Sequence, residues 1–132
     1  SKGGNLALNL APQPDGELPA GAVASLRDMG RWLRMHGEGI YETDIIKPYF
    51  ERNVKYTAKN NIRYAFYLYD DCVRLPLRVY LTATEDIKSV RLMRTGQEIP
   101  FKKQGSQLLL DTTDVDRNSA FYADCFILEA MP

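Results

Sequence analysis

The chain has 132 residues, and its 17 lysines and arginines balance its 17 aspartates and glutamates to a formal charge of zero. That length suits about one domain and is too short for a (β/α)8 barrel, which takes roughly 200 residues or more. With no basic stripe, nucleic acid is not an expected partner. With no apolar run of about 18 residues, neither is a membrane.

The chain begins with a strand pattern. In Gly3–Leu10, Leu6, Leu8 and Leu10 alternate, and Ala7 and Ala11 are small enough to be buried on the other face. A strand apolar on both sides belongs in a sheet covered on both faces. Asp15-Gly16 makes a turn, and Pro19 opens a helix running to about Met35. Val23, Leu26, Met29, Gly30 and Leu33 recur at helical steps and form its expected packing stripe, with Trp32 beside it. Gly37 suits the left-handed residue that ends the helix. Strand, loop and helix are half of a βα unit with no partner strand, so the chain reads as the tail of something larger.

After a connector with Ile45-Ile46 and Pro48, the period changes to two. Val54, Tyr56 and Ala58 alternate, Asn60-Asn61 is a turn, and Ile62, Tyr64, Phe66 and Leu68 follow. Leu75, Leu77, Val79 and Leu81 alternate next, with Pro76 confined to a strand start or a sheet edge. Further strands are expected over Ile87–Arg94, around Ile99 and Phe101, over Leu108–Thr112, and through Phe121, Ala123, Cys125 and Ile127. Six or seven short strands of this kind make the expected fold mainly β, an antiparallel two-sheet β-sandwich preceded by one strand–loop–helix unit. Its inward set is Ile62, Tyr64, Phe66, Leu68, Leu75, Leu77, Val79 and Leu81.

The two cysteines, Cys72 and Cys125, read either as reduced residues, one filling core space, or as a disulfide. One histidine and two scattered cysteines offer no metal-ligand spacing, and no cofactor is expected.

The N-terminal pattern resembles the last βα unit of the barrel in α-L-fucosidases of glycoside hydrolase family twenty-nine. The carrying residues are Gly3-Gly4-Asn5, the leucines, Asn9, Pro12, Asp15-Gly16 and Pro19, then Gly30-Arg31-Trp32-Leu33 and His36-Gly37-Glu38-Gly39-Ile40-Tyr41. The chain departs from the family pattern at Ala7 (usually Leu), Ala11 (usually Gly), Leu18 (usually Ile), His36 (usually Asn) and Gly39 (usually Ala). The resemblance implies three parts: residues 1–41 as the terminal strand and helix of a catalytic barrel, 42–53 as a connector, and 54–132 as a C-terminal sandwich. It implies a retaining enzyme that releases terminal L-fucose from glycans. The missing N-terminal barrel would be this chain's partner, a fucosylated glycan the parent's substrate, and a secreted, periplasmic or lysosomal setting its place. Both mechanistic carboxyl groups of such enzymes precede the matched stretch, so no catalytic residue is assigned and the piece alone is expected to be inactive.

Other candidates are weighed on their residues. Asp70-Asp71 and Glu85-Asp86 read as solvated turn formers. Asp15 reads as a turn residue, and Glu38 as structural, bonding nearby backbone. Asn9, near the strand's end, is the one substrate-binding candidate, against a role bracing a loop. His36 is assigned a helix-end or surface role. Tyr67, Tyr69 and Tyr80 could stack on sugars, pair across strands or face the absent barrel. Leu6, Leu8 and Leu10 lack cover, so Gly3–Leu10 is expected to pair with a second copy, join a sandwich edge or stay poorly ordered. The alternative function is a free-standing β-sandwich module that binds carbohydrate or protein.

Overall fold

The computed structural model describes residues 1–70, 74–119 and 122–132. Helix α1 spans Ala20–His36, and a single 3₁₀ turn, Gly37–Gly39, continues it. The strands are β1 Phe50–Glu51, β2 Val54–Lys59, β3 Ile62–Leu68, β4 Arg78–Thr82, β5 Ile87–Leu92, β6 Phe101–Gln104, β7 Gln107–Asp111 and β8 Ala123–Ala130. They form two antiparallel sheets, one ordered β1-β2-β3-β8-β5 and the other β4-β7-β6.

The first nineteen residues form no strand. Gly3–Leu10 has no neighbour to pair with, and Leu6 and Leu8 are 81% and 54% exposed. A ladder needs a second strand, so the alternating pattern alone cannot make one. Helix α1 follows from straight-chain and alanine residues without an internal proline. Pro19 stands just outside it, where its missing N–H is harmless, and its carbonyl accepts the Val23 N–H at 3.1 Å. Gly37 is not left-handed (φ −62°), so the helix tightens into the 3₁₀ turn instead of reversing.

The turn chemistry fits the strand pairs. Asn60 takes φ 55° in the β2–β3 hairpin, and Gly105 takes φ 60° between β6 and β7. The segment read as a connector adds β1 to β2, and Asp44 bridges Ala58. Between the sheets lies the main core: Val54 and Tyr56 of β2, Ala65 of β3, Val79 and Leu81 of β4, Leu108 and Leu110 of β7, and Phe126 and Leu128 of β8. The loop before β8 is held by Arg117, whose guanidinium donates to the carbonyls of Leu75, Pro76, Thr112, Thr113 and Val115.

The expected inward set needs correction. Tyr64 and Phe66 are buried, but they join Cys125 and Ile127 in a second cluster, with Ile62 packed at its margin. Central strands covered on both faces have no wet side, so alternation cannot say which face is the sandwich interior. Leu68 is 38% exposed and Leu77 58%, whereas Leu75, Val79 and Leu81 are buried. Leu77 sits in a bend between Pro76 and the start of β4, which turns its side chain outward. Leu81→Asp therefore places an unpaired charge in the core and should cost about 4 kcal/mol or more, while Leu77→Asp should stay within about 0.5 kcal/mol of wild type. Thermal melts of the two variants check this; equal losses would contradict the burial pattern.

Candidate functional site

The most organised feature outside the main core is the junction where α1 meets the outer face of the five-stranded sheet. Trp32 covers the second cluster. Its Nε1–H donates to the Ala123 carbonyl at 3.1 Å. Its ring stacks on His36 with centroids 4.6 Å apart and planes 21° apart, and it leans on Phe66 at 5.9 Å. The 3₁₀ turn closes the other side: Thr57 donates its hydroxyl to the Gly39 carbonyl at 2.6 Å, and Tyr64 donates to Glu38 at 2.9 Å.

Two glycines allow this closeness. A Cβ on Gly39 would lie 2.7 Å from the Phe66 ring tip and 3.1 Å from Tyr64. A Cβ on Gly37 would lie 2.7 Å from the Tyr41 ring. Phe66 and Tyr64 are themselves buried and cannot swing away. Gly39→Ala should therefore lower stability by about 1–3 kcal/mol through overpacking. Chemical denaturation measures it, and an unchanged midpoint would show that the turn can retreat.

His36 is buried at the junction. Its Nδ1 lies 3.1 Å from the Trp32 carbonyl, which can only accept, so Nδ1 carries the hydrogen. Nε2 then presents a lone pair, and it has no partner among the described residues. Burial pushes the imidazole pKa down; the Trp32 carbonyl and the Asp124 charge oppose this, and Arg94 adds to it. Protonation would place an N–H at Nε2 with no acceptor, which agrees with the downward shift. The sign follows. A histidine whose folded pKa lies below its unfolded value, near 6.5, makes the fold lose stability as pH falls through that value toward the folded pKa. Wild type should thus lose more stability than His36→Asn between about pH 7 and pH 5. Parallel slopes in pH-dependent melts would contradict the neutral buried histidine.

Behind the aromatic pair lies a buried ion pair. Arg94 Nε meets Asp124 Oδ1 at 2.7 Å, with side chains 4% and 0% exposed. Tyr69 donates to Asp124 Oδ2 at 2.5 Å, and Arg94 also reaches Ser119 Oγ and the Asp116 carbonyl. Burial first, then the bond to the carboxylate, push the Tyr69 hydroxyl far above the usual phenol range. Burial beside Asp124 and Glu38 raises the Cys125 thiol pKa too, and Cys125 is a free, inert thiol. Cys72, the other half of the disulfide considered, lies outside the described residues, as do Asp71 and Phe121.

The remaining candidates fall apart in space and role. Asn9 is exposed in the unpaired N-terminal segment. Asp15 accepts the Glu17 N–H at 3.0 Å, the turn expected of it. Glu38 bonds a tyrosine side chain, not backbone, and His36 is at the helix end but not at the surface. Glu85 is no solvated turn residue: it takes a forked bond from buried Arg63 at 2.7 and 2.9 Å. Burial raises its pKa, but the Arg63 bonds and charge prevail and hold it at about 2. Asp86 pairs with Lys103 at 2.7 Å. Held ionised by Arg63, Glu85 is not placed to carry a proton. Tyr67 and Tyr69 pack against the main core, while Tyr80 is 56% exposed. Asp124, Arg94 and Arg63 were not singled out from the sequence. The available signal was a charge inside an apolar strand run, as in Ala123-Asp124-Cys125-Phe126, because such a charge requires a buried partner.

This arrangement defines a β-sandwich whose outer sheet face is closed by the end of a preceding helix. The Alpha-L-fucosidase family model matches residues 1–38. Among curated relatives, an alpha-L-fucosidase of Branchiostoma floridae is 40% identical over 74 residues, covering 52% of this chain and 16% of its own length. The plasma alpha-L-fucosidase of Rattus norvegicus is 40% identical over 77 residues, with the same coverage. Among solved structures, the Thermotoga maritima alpha-fucosidase in complex with fucose superposes at a TM-score of 0.73 with 26% identity, covering 96% of this chain and 31% of that one. Isoenzyme 1 of Paenibacillus thiaminolyticus alpha-L-fucosidase shares the fold at a TM-score of 0.83 with 24% identity, over 100% of this chain and 32% of that one. The chain thus spans about a sixth of the length of the curated relatives it matches. In sequence and in fold the chain is thus similar to a C-terminal portion of α-L-fucosidases.

Proposed function

We propose that this chain works as the C-terminal part of a retaining α-L-fucosidase that releases terminal L-fucose from glycans. In this reading residues 1–41 supply the last strand and helix of the catalytic barrel, 42–53 connect, and 54–132 form an accessory sandwich. One observation carries it. Among the described residues sixteen large apolar side chains are exposed, and eleven of them lie between Leu6 and Phe50. They mark roughly the N-terminal third of the chain as the side that expects a cover.

The helix shows the same thing on a smaller scale. Trp32 and His36 face the sandwich, while Val23, Leu26 and Gly30 line an open groove of about 620 Å³ with Leu18. The expected packing stripe, which also includes Met29 and Leu33, is not among the described residues packed against either core cluster. It lies roughly a third of a turn away from the Trp32 face, where the missing barrel would cover it. Asn9 would then sit near the barrel rim, as a brace or a contact to sugar. The two carboxyl groups of a retaining mechanism, roughly 5–5.5 Å apart, would come from the barrel.

Two measurements test the reading. The purified chain should not hydrolyse an aryl α-L-fucoside above background, and the longer parent should; turnover by the chain, abolished by one substitution within it, would overturn the accessory role. Light scattering should show self-association of the chain through Leu6, Leu8 and Leu10, absent from a version starting at Pro19. Two equally stable monomers would show that the N-terminal segment seeks no cover.

A further inference from the structure

A groove of about 650 Å³ opens where the β1–β2 hairpin of one sheet meets the free edge of β4 in the other. We propose that it is a binding site for an oligosaccharide. The volume lies in the range of small-molecule sites, roughly 300–1,000 Å³.

The polar lining is the first argument. Arg52, Asn53, Arg78 and Gln107 border the groove, and the structure gives their side chains no hydrogen bond among the described residues. These are planar amide and guanidinium groups, each presenting paired donors or a donor beside an acceptor. Such groups match the adjacent hydroxyls of a pyranose, which also donate and accept side by side.

The backbone adds to this. Leu77 and Ala83 bond across to Thr112 and Ser106, and Val79 and Leu81 lie in step with them opposite Leu110 and Leu108. Antiparallel pairing alternates, so the main-chain groups of Arg78 and Tyr80 point to the open edge. Tyr80 also borders the groove, and its exposure leaves a ring face for the C–H side of a sugar.

The chemistry of the rim narrows the occupant. Glu51 is already committed: its carboxylate accepts from Tyr56, from the Thr82 N–H at 2.8 Å and from the Thr82 hydroxyl at 2.7 Å. It stitches the hairpin to β4 and closes that end. An extended peptide adding to β4 would need this edge clear, and pockets for its alternate side chains. Val54 and Val79 are buried flush with the wall and offer none. In the lining Glu51 faces Arg52 and Arg78, and Asp111, outside the groove and opposite Arg78 on β7, offsets the second arginine, which suits a neutral glycan.

The groove is argued from its own geometry; only the choice of a fucosylated probe rests on the proposed function. Calorimetric titration of the 132-residue chain with fucosyllactose and with lactose should show weak, saturable binding of at least one. Tyr80→Ala should weaken it about tenfold, as should the Asn53→Ala, Gln107→Ala double variant. Tyr122→Ala, at an exposed tyrosine elsewhere, should leave it unchanged. Lactose binding as well as fucosyllactose would support a glycan groove that does not read fucose. No saturable binding up to tens of millimolar, or equal loss in the Tyr122 variant, would overturn the site. So would tighter binding of an unstructured peptide than of either sugar. Fucoside hydrolysis by the longer parent is scored separately, so failure of the groove leaves the proposed function standing, and the reverse.

Discussion

The five-stranded sheet has two apolar faces, and everything else in the fold answers to that. Its inner face, carrying Tyr56, Ala65 and Phe126, is closed by the second sheet. Its outer face, carrying Tyr64, Phe66, Cys125 and Ile127, would be wet without the end of α1 and the 3₁₀ turn. Leaving Trp32 and Phe66 exposed would forgo about 1.5–3 kcal/mol for each side chain. The helix end is therefore part of the sandwich core and not an appendage to it. Gly39 is the point where this constraint is tightest, because the turn can reach the sheet only without a side chain there.

Burying both faces leaves the central strands little room for charge, and the charges that are present come in satisfied groups. Arg94, Asp124 and Tyr69 tie the start of β8 and the end of β5 to the loop before β8. Arg63 and Glu85 tie β3 to the β4–β5 connection, and Arg63 also holds the Lys47 carbonyl. Glu51, Tyr56 and Thr82 tie the two sheets together at one edge. Removing one partner from such a group strands the other in a dry site, which costs about 3–5 kcal/mol where both are buried. These groups add direction to a core whose apolar contacts are non-directional. They fix which loop sits over which strand.

Most of the strands could be read from the sequence because turn residues and period agree. Asn60-Asn61, Thr95-Gly96 and Gly105-Ser106 punctuate runs that alternate cleanly, and the sandwich class follows from them. What could not be read was the assignment of faces. Tyr64 and Ala65 are both fully buried neighbours on β3, so parity carries no information about which cluster each joins. The helix stripe misled for a related reason. Val23, Leu26, Gly30 and Leu33 form the more regular apolar face, yet this chain uses the Trp32–His36 face, whose members are an aromatic and a titratable residue. Periodicity reports that a face wants cover but not which partner will supply it. The buried ion pairs were harder still, since Arg63 and Glu85 are far apart in sequence and meet only once the sheets are closed.

Helix α1 thus has two apolar faces with two different destinations. One is satisfied within this chain by Phe66 and the Ala123 carbonyl. The other, with Leu6 and Leu8 ahead of it, is satisfied by nothing in the described residues. A helix packed on both sides cannot shift along one without disturbing the other, because interiors are close-packed and resist sliding. If the proposed barrel covers the open face, the position of the sandwich is set by the same seventeen residues that close the barrel. The junction around Trp32 then acts as a rigid shared wall between two bodies and not as a linker. Its buried His36, with its pKa pushed down by burial, ties the firmness of the joint to pH: stability is lost as pH falls below the ordinary histidine value near 6.5.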